Sequence, residues 1–504
     1  MSRPNILFIL SDQHNAKALG HQGHPDVLTP HLDRMAAEGV RFDASIAQNP
    51  ICTPSRMCFH SGQYCHNHGY YGLDGRRPHG LPTLYGHFRR AGYATAAIGK
   101  IHCPEYWLED DCDAFLGTCN PRSAAYSAFL EERGKADIED HGRMAEFGRR
   151  GRQSMDARPS PLAFEESQEG WIADQAIGFM RASEEAGKPF LVHASPPRPH
   201  QCTAPSEPFW SLYAGKELSF PPNADWGLEG RSPQLRKRAE GWRRGDWALL
   251  EPRTFEAARR RKLHGYLAAI SQTDHAVGRM LDFLLREGLA ENTIVVYSAD
   301  HGEYACEHGI MEKAPGIAGD AVTRIPLLWW GPGRFKPGHV AREVVESVDV
   351  STTLCALAGL EPMATSDGHD LSPMLRGEPG DAARVGVTEC PWSKSIRKGT
   401  YRLVRYPRPM FAEEYPGGFG ELYDLATDPW EMRNLYFDPA HTATVAELQR
   451  DLMDWLIATT RVVTLLPKVS LDGCQTFTRH GNSYELDGKL HPRHVDRTRH
   501  ANYL

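Results

Sequence analysis

Position 52 poses the first chemical question. The run Cys52-Thr53-Pro54-Ser55-Arg56 sets a thiol before a proline-fixed turn, with an arginine one helical turn on. Pro54 fixes its own φ and disfavours helical geometry at Thr53, so the chain reads as extended up to the proline and helical from it. Cys52 is therefore expected just before a helix N-terminus. Free amides and the positive end of the helix dipole stabilise an anion there, and Arg56 can point back toward it. Unmodified, residue 52 is only a thiol.

Four other stretches carry groups of matching chemistry. The apolar run Ile6 to Leu10 stops at Ser11-Asp12-Gln13, and Tyr93 to Ile98 delivers Lys100 and His102. Pro189 to His193 leads to His200, and Thr293 to Tyr297 carries Asp300-His301-Gly302-Glu303. Each run reads as a buried strand ending in polar residues, and in open α/β sheets ligands gather at such carboxyl ends. A doubly wound sheet would bring all four to one rim. Asp12, Gln13, Asp300 and His301 offer mainly hard oxygen donors with one nitrogen, a set suited to calcium or magnesium and less to structural zinc.

The elements between these runs follow the same alternation. Thr29 to Gly39 reads as a helix with Thr29 as cap, Pro30 in the first turn and Gly39 as terminator, and Val40 to Phe42 starts the next strand. Leu81 to Ala91 reads as a helix, as does Phe255 to Glu287, where Tyr266, Ile270, Ala276, Met280 and Leu284 recur near helical spacing. Val344 to Leu360 is expected as the last helix of a large domain spanning 1–376. Beyond the Gly- and Pro-bearing boundary near Arg376 to Gly380, the runs Gly386 to Thr388, Thr400 to Tyr406 and Glu421 to Leu425 and a helix over Thr442 to Thr460 predict a smaller α+β domain. That domain, 381–504, would hold an antiparallel sheet with a packed helix. Segments Glu105 to Gln168 and Tyr213 to Arg253 lose periodicity and read as insertions over the site. The polar tail Leu466 to Leu504 is expected to wrap a neighbouring subunit, which implies a homo-oligomer.

Composition narrows the class. A formal net charge of −7 gives no basic field for nucleic acid. Eleven cysteines, an odd number at irregular spacing with no CxxC pair, suggest neither a disulfide framework nor a zinc site. Ile6 to Leu10 is too short for a signal-peptide core, and no run approaches membrane-spanning length, so a cytoplasmic protein with no membrane partner is expected.

Taken together, these residues resemble the type I sulfatase family of the alkaline phosphatase superfamily. The likeness spans nearly the whole chain: Arg3-Pro4-Asn5-Ile6-Leu7 with Asp12, Thr29 to Asp33, the pentapeptide at 52 with Ser61-Gly62-Gln63, Gly99-Lys100 with His102, Pro199-His200, Asp300 to Glu303, Lys313, Val348-Asp349, and Glu421 to Leu425 through Asp428-Pro429. The resemblance implies an alkaline-phosphatase-like doubly wound mixed sheet. It implies oxidation of Cys52 to formylglycine by a maturation enzyme, and one divalent metal, calcium first with Mg2+ or Mn2+ as substitutes, held by Asp12, Gln13, residue 52, Asp300 and His301. One hydroxyl of the hydrated aldehyde would attack sulfur, and loss of the second proton, to His102 steadied by Lys100, would expel sulfate. Arg56 would stabilise the nucleophile, and His200 and Lys313 would meet the sulfate and leaving group, with His200 the preferred general acid. The expected reaction is hydrolysis of a small-molecule or saccharide sulfate monoester. Asp12-Gln13 stands where many members carry paired aspartates, a form shared with choline sulfatases and phosphonate monoester hydrolases, so a formylglycine-dependent phosphonate monoester or phosphodiester hydrolase is the nearest rival. A silent binding protein with unmodified Cys52 is the alternative of another class.

Overall fold

A computed structural model of the protein describes residues 3–73, 81–103, 107–118, 125–135, 138, 157–201, 203–244, 254–314 and 316–461, with three short strands between 476 and 492. An eight-stranded sheet forms its centre. In chain order the strands are β1 (Asn5–Ser11), β2 (Val40–Phe42), β3 (Ala94–Gly99), β4 (Ala114–Gly117), β5 (Phe190–Ser195), β6 (Thr293–Ala299), β7 (Leu327–Trp330) and β8 (His339–Ala341), arranged β8-β2-β7-β6-β1-β5-β3-β4. β1 lies parallel to both β5 and β6, whereas β7 runs antiparallel to β6 and β2, so the sheet is mixed as expected.

All seven residues of β1 are buried because both faces of the sheet are covered. Ile6, Phe8 and Leu10 pack with Met57 and Phe59, while Leu7 and Ile9 pack with Trp171, Val277 and Leu281. The period-two alternation of a strand thus feeds two cores at once. The helices responsible are α2 (Cys52–Ser61) on one face, with α3 (Gln168–Glu185) and the 32-residue α4 (Phe255–Arg286) on the other. α1 (Pro30–Glu38) packs against α4, and the Asp274 carboxylate of α4 accepts the amides of His31 and Leu32 at its start. The Thr29 side chain makes no capping bond; its hydroxyl instead accepts from the Gly20 amide and donates to Asp33.

Three local expectations are corrected. α2 begins at Cys52 itself, after an extended Ile51, so Thr53 is helical and Pro54 lies inside the first turn. The first-turn amides have no helical partner in any case, so a proline there costs no hydrogen bond. Val344 to Leu360 is not one helix. Val345–Glu346 forms a strand beside Ser45–Ile46, and α5 covers only Asp349–Leu357. The 213–253 insertion contains a helix, Pro233–Arg244, among its described residues.

The C-terminal region is a four-stranded antiparallel sheet of β9 (Val385–Cys390), β10 (Ser393–Lys398), β11 (Tyr401–Arg405) and β12 (Gly420–Asp424). β10 went unread in the sequence because Ser393-Lys394-Ser395-Ile396-Arg397-Lys398 offers one strongly apolar residue. α6 (Thr442–Thr459) lays Leu448, Leu452 and Trp455 against Ile396, Leu403 and Leu422, and the same cluster takes in Cys58, Tyr64 and Cys65. The predicted wrapping tail falls, apart from the short strands, outside the described residues, as does much of the 105–168 insertion. Among the described residues no helix is long and apolar enough to cross a membrane.

Candidate active site

The four strand ends converge on position 52. Asp12 follows β1, Lys100 follows β3, His200 follows β5, and Asp300 and His301 follow β6, while α2 presents Cys52 from its first residue. The Cys52 sulfur lies 3.2 Å from His301 Nε2, 3.0 Å from Lys313 Nζ and 3.7 Å from Asp12 Oδ1. His102, at φ +48°, also reaches that sulfur, and its carbonyl accepts from Thr53 Oγ1 at 3.0 Å. Every residue proposed for the site is therefore present in one cluster, and Asp12, Cys52, Arg56, Asp300 and His301 are fully buried.

Arg56 ties the cluster together. Its Nε donates to Asp300 Oδ2 at 2.8 Å and its Nη2 to Asp12 Oδ2 at 3.2 Å, while Nη1 reaches Ser195 Oγ at 2.9 Å and the Lys100 carbonyl. One helical turn separates Arg56 from Cys52, so the α2 backbone aims both at the same rim. Lys100 Nζ sits 2.6 Å from Asp12 Oδ2. Asp300 Oδ1 accepts the backbone amides of Gln13 at 3.0 Å and His301 at 2.9 Å.

The electrostatics favour negative charge at residue 52. Burial pushes the Cys52 thiol up, but Lys313, Lys100 and His301 outweigh it and hold the group well below the ordinary thiol range. Burial also opposes ionisation of Asp12, yet Lys100, His200 and Arg56 keep it well below the carboxylate range. Asp300 moves the other way, raised by burial and by Asp12 despite Arg56. Burial, with Lys100 and Lys313, pushes His200 down to about 4, so it is neutral near pH 7. Its Nδ1–H donates to the Gln201 carbonyl, and its Nε2 faces Lys313 Nζ at 3.3 Å.

The same cluster fits a divalent cation. One donor atom from each of Asp12, Cys52, Asp300 and His301 lies within 4.8 Å of the others, and two ligands of one calcium ion are at most about 5 Å apart. His301 Nδ1 donates to the Gly302 carbonyl at 2.9 Å, which aims Nε2 into the cluster, where the neutral ring would offer its lone pair to a cation. Gln13 Oε1 is buried with no hydrogen-bond partner among the described residues, although Gln13 Nε2 is bonded.

Residues that sequence reasoning missed are supports. The Ser55 hydroxyl donates to the Asp300 carbonyl, and Ser195 Oγ sits 2.8 Å from Leu10 O and 2.7 Å from Lys100 O. Ser195 closes β5, two residues beyond the strand read from Pro189 to His193, so the sequence reading did not reach it. A second group, Cys58, Cys65 and His68, also lies within ligand distance but is satisfied internally. His68 Nδ1 accepts from the Tyr70 amide at 3.1 Å, so Nε2 carries the hydrogen toward Cys58 Sγ at 3.2 Å, and no lone pair remains there for a metal.

A mixed, doubly wound sheet that gathers at its rim a buried residue 52 in a field favouring negative charge and a carboxylate cluster able to fit a cation has the arrangement of a metal-assisted hydrolase. The family model for sulfatases matches residues 4–360, and the model for the C-terminal part of N-sulphoglucosamine sulphohydrolase matches 306–457. The chain belongs to the sulfatase family and is a sulfuric ester hydrolase. It is 27% identical over 464 residues to an ulvan-active sulfatase of Formosa agariphila, covering 90% of this chain and 80% of that protein. Among solved structures it is similar to a phosphonate monoester hydrolase from Silicibacter pomeroyi, with TM-score 0.77, 22% identity and coverage of 96% and 99%. It is also similar to a protein solved in complex with its substrate D-glucosamine-2-N,6-O-disulfate, with TM-score 0.71, 22% identity and coverage of 90% and 98%.

Proposed function

We propose that the protein hydrolyses a sulfate monoester of a saccharide or other small alcohol or phenol, with Cys52 converted to formylglycine by a maturation enzyme of the host. A saccharide substrate is favoured by the disulfated glucosamine bound to one of the similar proteins. The observation that carries the reading is the position of the Cys52 sulfur, which marks where the aldehyde-derived oxygen would stand, against Lys313, His301 and Asp12. When modified, residue 52 supplies a hydroxyl able to attack sulfur and a second one whose ionisation releases sulfate. When bound, a divalent cation, calcium first, supplies positive charge that eases ionisation of that hydroxyl.

The chain's own residues do the rest. Asp12, Gln13, Asp300, His301 and residue 52 would hold the cation. Arg56 fixes the two carboxylates from behind, and Lys100 keeps Asp12 ionised. Lys313 and His200 form a hydrogen-bonded pair on the substrate side, which suits delivery of a proton to the leaving oxygen and contact with sulfate oxygens. His102 would take a proton from residue 52.

A reducing cytoplasm agrees with the free state of all eight described cysteines, including Cys58 and Cys65 at 3.6 Å. Residues 1–376 would form the catalytic unit and 381–504 the smaller one, in a homo-oligomer.

The test is peptide mass spectrometry across Cys52 on protein from a host with the maturation enzyme, paired with turnover of an aryl sulfate beside an aryl phosphonate. An aldehyde at 52 with sulfate preferred is expected, with Cys52→Ser losing turnover. A thiol in fully active protein would refute the mechanism, and a strong phosphonate preference would transfer the assignment to the phosphonate hydrolase reading, which shares the Asp12-Gln13 form.

A further inference from the structure

Gln13 differs from the other residues at the proposed cation centre in being neutral and able to present either end of its side chain. An amide that turned its nitrogen toward a cation would repel it, so something must choose. The choice is made by two neighbours. Gln13 Nε2 donates to Gln201 Oε1 at 2.7 Å and to Glu303 Oε2, and both of those atoms are acceptors. Both amide hydrogens are thereby used, and Oε1 is left buried with no partner among the described residues.

The backbone of Gln13 is as firmly held as its side chain. It sits at φ +68°, its amide donates to Asp300 Oδ1 at 3.0 Å, and its carbonyl accepts from Tyr266 Oη at 2.9 Å. Glu303 is itself fixed by the Ala305 amide at 3.3 Å. Gln13, Gln201 and Glu303 are 0%, 5% and 1% exposed, so water does not compete freely for these bonds. A buried carbonyl oxygen without a partner keeps its desolvation penalty, and a ligand that accepts its lone pair removes that penalty.

We propose that Glu303 and Gln201 are positioning residues for the cation: by taking both amide hydrogens of Gln13 they turn its Oε1 into the Asp12–Asp300–His301 cluster as a ligand. The inference rests on the metal centre of the proposed function. It also accounts for glutamine at this position, since a carboxylate at residue 13 would have no hydrogen to give Glu303 and would set two buried negative groups against each other. Gln201 has a further link, because its backbone carbonyl accepts from His200 Nδ1, so the residue that orients a cation ligand also fixes the tautomer of the histidine on the substrate side.

The test is calorimetric titration of chelator-treated protein with Ca2+ alone, with melting of the same samples in chelator as a check of folding. Wild type is expected to bind one ion per chain; no binding by wild type would overturn the metal centre itself and this inference with it. Given wild-type binding, Glu303→Ala and Gln201→Ala should each weaken Ca2+ affinity about tenfold, while Glu303→Gln, which keeps an acceptor oxygen, should stay within about threefold. In a Gln13→Ala background both alanine changes should cost nothing further. Equal penalties with and without Gln13, or wild-type affinity in both alanine variants, would show that the two residues do not act through Gln13 and would overturn the proposal while leaving the centre intact.

Discussion

Arg56 is the residue on which the geometry of the site turns. A fork of five donors can serve two carboxylates, a hydroxyl and a carbonyl at once, and no other side chain has that reach. Arg56→Lys keeps the charge and loses the fork, so one of Asp12 and Asp300 is left without its partner in a dry site. Breaking a buried pair in this way costs about 3–5 kcal/mol, and loss of a donor that organises charge at the reacting centre costs about 10²–10³ in rate. We therefore expect kcat/KM on an aryl sulfate to fall by about that factor and the melting temperature to drop; activity within threefold of wild type would remove Arg56 from the role given it. The type of residue was legible in the sequence, since an arginine one turn from Cys52 must share its face. Its partners were not, because Asp300 is 244 residues away.

At the scale of elements, the strand ends were readable because a strand buried on both faces is a continuous apolar run, and β1, β5 and β6 all have that form. The loop after β6 shows what such reading leaves out. Gly302 has no positive φ to explain it; instead a Cβ there would stand 2.0 Å from the Ala321 carbonyl oxygen, and its own amide donates to Val322 O at 3.0 Å. The main chain of 321–322 therefore presses against the segment carrying Asp300 and His301. Gly302→Ala must push one backbone off the other, at a cost of about 1–3 kcal/mol for overpacking. The expected outcome is a lower melting temperature together with at least a tenfold loss of kcat/KM, measured on the same preparation; a stability loss with full activity would mean that the metal-side loop is free of this contact. The start of α2 was misplaced by reasoning from proline alone, because a first-turn proline has no hydrogen bond to lose.

Across the whole molecule, the C-terminal sheet is fastened to the catalytic layer by buried polar contacts as well as by the apolar cluster under α6. Glu389 of β9 is the densest of them. Its amide donates to Gln48 O at 2.7 Å, and its carboxylate accepts from the His66 amide at 3.1 Å, from Tyr71 Oη at 3.0 Å and from Lys394 at 3.1 Å. Burial pushes the Glu389 carboxyl up, but His66 and Lys394 prevail and bring it down to about 2 from an ordinary 4.5. A carboxyl depressed in the folded state contributes stability that is complete above about pH 4.5 and disappears as the pH falls toward 2. Glu389→Gln should accordingly be less stable than wild type at pH 7, by an amount on the order of 3 kcal/mol, with the gap more than halved at pH 3. Scanning calorimetry at both pH values checks this, and a gap that stays constant with pH would mean that the carboxylate charge is not what matters. The sequence by itself determined the composition of the catalytic machinery and the alternation that builds a doubly wound sheet, because local runs of apolar residues and a proline turn act on their immediate neighbours. Tertiary structure alone decided that Arg56 would bridge Asp12 and Asp300, that the Gln13 amide would be taken up by Gln201 and Glu303, and that a polar strand such as β10 would be paired. Those outcomes depend on contacts between segments far apart in the chain, and local patterning carries no record of them.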